Sequence, residues 1–174
     1  VCSSDLPRWR EILARTDAIP PSPGTFRILR IDQDAFEVIH ELQERWLLGR
    51  SADDRGFLVE EPLDDGSRRI GRVDWRTGEV AWLVDEGFVD AFAWLGPDGS
   101  LAWSRREIEA TAFDLMVRRG DGGGTWTIPA AWERSWIDPV IAPDGRTLFV
   151  LRRGDGTVEL AWTRLSDERR FRDG

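Results

Sequence analysis

Lysine, asparagine and tyrosine are absent from this chain, and cysteine, methionine and histidine occur once each. Without lysine there is no phosphate-binding loop of the Gly-x-x-x-x-Gly-Lys-Ser/Thr kind, so the glycine-rich stretch Gly120–Gly124 is not a nucleotide cradle of that type. A single cysteine closes no internal disulfide, and cysteine usage tells nothing of redox compartment. With His40 as the sole histidine, a zinc site would rest almost wholly on carboxylates, which is unusual. A Ser-His-Asp triad would have to use that same residue on an expected outer strand, and no Gly-x-Ser-x-Gly elbow occurs. No apolar run approaches the roughly 20 residues of a membrane-spanning helix. All 24 positive charges are arginine. Lys, Asn and Tyr share AT-rich codons, so a GC-rich bacterial genome accounts for the bias without a special role for arginine.

What is present is acidic and rich in tryptophan. A net charge of −8 repels phosphate backbones and anionic lipid, since duplex binding depends on clustered cations neutralising phosphates. No nucleic-acid partner is expected. Ten tryptophans are too many for one small core, and Trp75, Trp82, Trp94, Trp103, Trp126 and Trp162 fall within apolar stretches, where they pack one layer on another.

Those stretches repeat. The turn Gly96-Pro97-Asp98-Gly99-Ser100-Leu101 returns as Ala142-Pro143-Asp144-Gly145-Arg146-Thr147-Leu148, with a worn copy at Ala52-Asp53-Asp54-Arg55-Gly56-Phe57, so a unit recurs roughly every 44 to 46 residues between apolar runs. Each unit reads as a four-stranded meander, the signature of a β-propeller blade. The reading is all-β, a propeller fragment of roughly three to four four-stranded antiparallel blades. A partial blade covers residues 7–45, its outer hairpin at about 26–40, and blades follow at 46–87, 88–132 and 133–174, the last ending in a weak strand near Arg169–Phe171. Residues Asp34–Trp46 also carry Phe36, Ile39 and Leu42 near helical spacing; the hairpin context of Asp32, repeated at Asp74, favours a strand over Phe36–Ile39. Arg8–Thr16 fits helix and strand equally.

The Pro-Asp-Gly turn followed by an apolar strand resembles the TolB-like and WD-repeat-like bacterial propeller repeats. Asp144-Gly145 matches fully, Asp98-Gly99 nearly so, and the Asp53 copy has lost its proline. The likeness covers about Phe26 to the C-terminus and implies a propeller, with a periplasmic or secreted setting. Asp121-Gly122-Gly123-Gly124-Thr125-Trp126 resembles a degenerate Asp-box of sialidase-type propellers, with Arg119 where that family has serine. In that family the box is a folding element, and its catalytic tyrosine has no counterpart here. Residues 1–6 resemble the translated tail of a sequencing adaptor, which would set Cys2 outside the protein proper. At about 44 residues per blade, just under four blades fit the chain, so it reads as part of a larger ring whose open strand edges invite self-association.

Propellers are a reused scaffold, so the repeat names no activity. In a meander the first–second and third–fourth turns lie at one end, and the longer loops, where binding residues gather, lie at the other. At that second end stand Trp132, Glu133, Arg134, Trp136 and Asp138. The two tryptophans beside a carboxylate and a guanidinium either stack a sugar ring or grip a peptide, or simply seal adjacent blades. Arg105, Arg152 and Glu61 end equivalent second strands and either line a channel site or form interblade ion pairs. No residue pattern calls for catalysis, a metal or a cofactor. The expected function is a noncatalytic platform for a protein or peptide, with carbohydrate a further ligand class. The alternative is the propeller of a larger hydrolase, a prolyl-oligopeptidase-like peptidase or a sialidase-fold glycosidase, with its catalytic residues elsewhere.

Overall fold

Alternating apolar residues bounded by Asp-Gly turns build strands throughout. The computed structural model describes residues 10–15, 24–32, 35–50, 56–130, 134–165 and 172–173, and among them there is no helix. A first sheet contains β1 (Arg10–Arg15), β2 (Gly24–Asp32) and the start of β3 (Ala35–Arg50). The end of β3 opens a second sheet with β4 (Gly56–Pro62), β5 (Arg68–Asp74) and β6 (Val80–Val84). The third holds β7 (Val89–Leu95), β8 (Leu101–Arg106), β9 (Asp114–Arg118) and β10 (Thr125–Ile128). The fourth holds β11 (Ser135–Ile141), β12 (Thr147–Gly154), β13 (Thr157–Arg164) and β14 (Arg172–Asp173). Pairing within each sheet is antiparallel. A single parallel bridge, Arg68 to Val89, ties the second sheet to the third.

Strand β3 departs from the sequence expectation of two separate strands. It runs unbroken for 16 residues, pairing with β2 as far as Arg45 and with β4 from Trp46 onward. Glu44 sits in the left-handed region at φ 54°, which redirects the strand without ending it. Tertiary pairing thus overrides the helix-like spacing of Phe36, Ile39 and Leu42, and Leu42 is buried against Phe57, Val59 and Val73 of the second sheet. Arg10–Arg15, equally open to either reading, is strand. In the fourth sheet β12 extends through Arg152 and Arg153 to Gly154. The expected longer loop is a two-residue hairpin, Asp155-Gly156, with both residues at positive φ. The worn turn at 51–55 and the expected strand at Arg169–Phe171 lie outside the described residues.

The sheets stack face to face through three cores, because each strand sends alternate residues to opposite faces. Leu42 with Phe57, Val59 and Val73 joins the first sheet to the second. Leu58, Ile70 and Val84 meet Ala93, Leu101, Trp103 and Met116, joining the second to the third. Ala102, Leu115 and Val117 meet Trp136, Ile141, Leu148, Val150 and Ala161, joining the third to the fourth. The middle sheets are therefore apolar on both faces, and β4 is buried from Gly56 to Glu60.

Candidate functional site

The opening strand of each of the last three sheets contributes one wall of a cleft of about 540 Å³. Trp46, Leu47 and Leu48 come from β3, Ala91 to Trp94 from β7, and Asp138 to Val140 from β11, with Glu60 and Arg68 also lining it. All three strands are irregular here. The register slips between Leu47 and Gly49, between Ala91 and Trp94, and between Ile137 and Val140. Phe92 and Asp138 adopt φ of 51° and 50°, a conformation that costs an L-residue about 1 kcal/mol or more. These bulges hold large apolar side chains in the open, since Leu47, Phe92 and Val140 are each more than a third exposed.

Charge in the cleft is confined. Glu60 is buried and accepts a 2.7 Å hydrogen bond from Arg68 Nη1, and the Arg68 guanidinium lies 4.5 Å from the Trp46 ring centroid. Burial pushes the Glu60 carboxyl above its ordinary range despite Arg68, and the nearby Asp90 carboxylate adds to the rise. Asp90 is wholly buried and accepts from Trp103 Nε1 at 2.8 Å and from Arg105 Nε at 2.7 Å. Its carboxyl is likewise raised by burial, against the pull of Arg105 and Trp103. Asp138, also in the lining, is exposed.

The residues singled out in the sequence fall into separate groups. Glu61 is held between Arg45 at 2.8 Å and Arg69 at 2.6 Å, with Arg69 stacked 3.7 Å over Trp82. Arg105 joins Asp90 to Glu86, the latter at 2.6 Å. Arg152 donates to Glu159 at 2.9 Å through Nε, and Arg134 reaches Asp155 at 3.1 Å and Glu159 at 4.0 Å, so these two arginines share a carboxylate. Glu61, Arg105 and Arg152 occupy matching positions on β4, β8 and β12, yet each is engaged by a partner on a neighbouring strand of its own sheet, Arg105 by Glu86 of the β6–β7 connection as well. Trp136 is buried between the third and fourth sheets and donates through Nε1 to the Pro129 carbonyl at 3.2 Å. Trp132 and Glu133 lie outside the described residues. Of the described members of the group, Asp138 alone lines the cleft. The other lining residues, among them Trp46, Phe92, Trp94 and Val140, carry no site signal of their own in the sequence. Aligning the repeats on their turns, and asking which residues precede each turn, would have found them.

A larger cleft of about 750 Å³ lies at the turn end, lined by Asp98, Asp121 and Asp144 among others. Its carboxylates are committed to the turns themselves. Asp98 accepts from Ser100 N at 3.0 Å, Asp121 from Gly123 N at 2.8 Å, and Asp144 from Arg146 N at 2.8 Å. Gly120 fits there because a side chain would strike the Asp98 carbonyl at 1.9 Å. Among the described residues no cluster of three or more His, Cys, Asp or Glu side chains is placed to hold a metal, and no helix is long and apolar enough to cross a membrane.

No protein-family model and no curated protein sequence matches the chain. Solved structures do. Putative TolB from Agrobacterium tumefaciens matches over 85% of this chain and 56% of its own, at 14% identity and a TM-score of 0.65. TolB from Acinetobacter baumannii matches over 94% and 40%, at 18% identity and a TM-score of 0.62. Puromycin hydrolase matches over 86% of this chain and 24% of its own, at 14% identity and a TM-score of 0.53. The chain thus spans less than two thirds of each of these proteins. At such identities the likeness shows the fold alone, and that fold is an arc of a TolB-like β-propeller.

Proposed function

We propose that this propeller arc is a noncatalytic binding platform and that the cleft between β3, β7 and β11 receives a peptide or protein segment. The observation that carries this reading is the row of bulged inner strands. Three sheets each hold an apolar side chain, Leu47, Phe92 or Val140, open to solvent in one concave place, at a cost in backbone strain at Phe92 and Asp138. Phe92 meets the Phe113 ring edge to face at 5.7 Å yet stays more than a third exposed in a strained conformation, which a ligand explains better than that one contact does. The cleft is mostly apolar, with Asp138 and the Glu60–Arg68 pair in its lining, which suits a short segment anchored by an apolar side chain and oriented by a few polar bonds.

The test is a peptide array followed by titration of its best binders, read by tryptophan fluorescence. Phe92→Ser and Val140→Ser should each weaken binding by about tenfold or more while leaving the far-ultraviolet circular dichroism intact. Failure of every peptide to bind tighter than about 1 mM, or binding indifferent to both substitutions, would sink the reading.

A further inference from the structure

One arrangement recurs in this chain, an arginine laid over an aromatic ring and bonded to a carboxylate. Arg69 lies 3.7 Å from the Trp82 centroid and donates to Glu61 at 2.6 Å. Arg105 lies 4.5 Å from the Phe88 centroid and donates to Asp90 at 2.7 Å. In the cleft Arg68 does the same, 4.5 Å from the Trp46 centroid and 2.7 Å from Glu60 Oε1. A guanidinium suits the arrangement because it is planar and weakly hydrated, so its face rests on a π system while its edge donates to oxygen. The cleft holds ring and carboxylate a second time without an arginine of the described residues on them. Phe92 is 36% exposed, with Phe113 as its ring partner. Asp138 is exposed and joins no ion pair among the described residues. Glu60 is 4% exposed, and among the described residues its second oxygen, Oε2, accepts no hydrogen bond. The lining thus carries two carboxylates and one guanidinium, and that guanidinium is already engaged.

We propose that the segment received by this cleft presents an arginine side chain, its guanidinium laid against Phe92 and donating to Asp138 and to Glu60 Oε2. This rests on the reading of the cleft as a peptide site and adds the chemistry of the occupant. Charge complementarity carries it. An acidic segment would bring a further carboxylate to two others inside a mostly apolar cleft, on a chain of net charge −8. Glu60 is buried with a hydrogen bond to one oxygen only, and burial keeps its carboxyl above the ordinary range despite Arg68. A second cation at Oε2 offsets desolvation that Arg68 leaves uncompensated. Backbone strain agrees with the same assignment. The two cleft residues in the left-handed region, Phe92 and Asp138, are the ring and the carboxylate that the guanidinium uses. Arginine fits better than lysine, because a planar fork stacks on a ring while serving more than one acceptor, and an ammonium does not.

The probes are capped pentapeptides, acetyl-Leu-Phe-X-Leu-Val-amide with X arginine, citrulline or glutamate, titrated into the full chain beside the best binders of the peptide array. Citrulline keeps the shape of arginine and removes its charge. The arginine peptide should bind about tenfold tighter than the citrulline peptide, and the glutamate peptide more weakly still. Asp138→Asn keeps a residue that tolerates the left-handed region at that bulge, so the fold should stand. It should cut the preference for arginine over citrulline to about threefold or less and leave the citrulline peptide's affinity unchanged. Phe92→Ser should weaken both. Equal binding of the arginine and citrulline peptides, or a preference untouched by Asp138→Asn, would overturn the proposal while Phe92-dependent binding kept the cleft as a peptide site. Array binders that lack arginine, alongside failure of the arginine peptide, would overturn it in the same way. Failure of every peptide, array binders included, would remove the site itself.

Discussion

Single carboxyl groups set how stability follows pH. Glu60 and Asp90 are raised by burial, so just above the ordinary carboxylate range the folded chain holds protons that the unfolded chain has lost. Their contribution is full below the unfolded values of 4.5 and 3.8 and is lost as pH rises through the raised folded values. Asp65 and Asp144 are lowered by hydrogen bonds from their own turns, and Glu159 by Arg152; these contribute above the unfolded values and lose that contribution as pH falls through the lowered ones. The melting temperature should therefore rise on acidification from neutrality toward the carboxylate range and fall again at lower pH. In Glu60→Gln the rising limb should be shallower, as a pH series of calorimetric scans would show; an equal slope in both proteins would mean that burial of Glu60 does not perturb its titration. The ionisable site residues also show where sequence reading stops. Glu61, Arg105 and Arg152 were recognisable as matched second-strand positions, but their partners Arg45, Asp90 and Glu159 lie on neighbouring strands, and only cross-strand register names them.

Strand elements obey alternation closely enough that two adjacent residues should behave in opposite ways. Leu148 is fully buried between the third and fourth sheets, and Phe149, next to it on β12, faces outward. Leu148→Ala should cost about 3 kcal/mol through lost burial and the cavity left behind. Phe149→Ser should cost less, about 1–2 kcal/mol, despite the larger side chain removed, because about a third of Phe149 already faces solvent. Chemical denaturation of both variants at low concentration reads the difference, and comparable losses would mean that β12 is placed in the wrong register. The strands of the third sheet and the turns at Asp98 and Asp144 were legible because a two-residue period and Asp-Gly chemistry are local signals. The bulges in β3, β7 and β11 were not. A bulge breaks alternation by one residue, as at Phe92 and Asp138, and only the partner strand reveals the slip. The cleft was missed for that reason, while the tryptophan loop around Trp136 drew attention by composition although Trp136 itself is interior packing.

At the scale of the molecule, repetition made the architecture legible, since each sheet supplies the cover its predecessor lacks and an arc needs no long-range signal beyond the period. The same repetition hides the function, because every blade carries the same kind of turn and core. The sharing of β3 between two sheets and the bridge from Arg68 to Val89 make one hydrogen-bonded fabric from β1 to β10, whereas β11–β14 form a separate ladder. The fourth sheet meets the rest through side chains and the Trp136 amide bonded to the Phe113 carbonyl at 2.9 Å. That junction is a seam. Under load, or in native-state hydrogen exchange, β11–β13 should open together as one foldon before β4, β5 and β8 do, because parting the seam breaks packing without tearing a ladder.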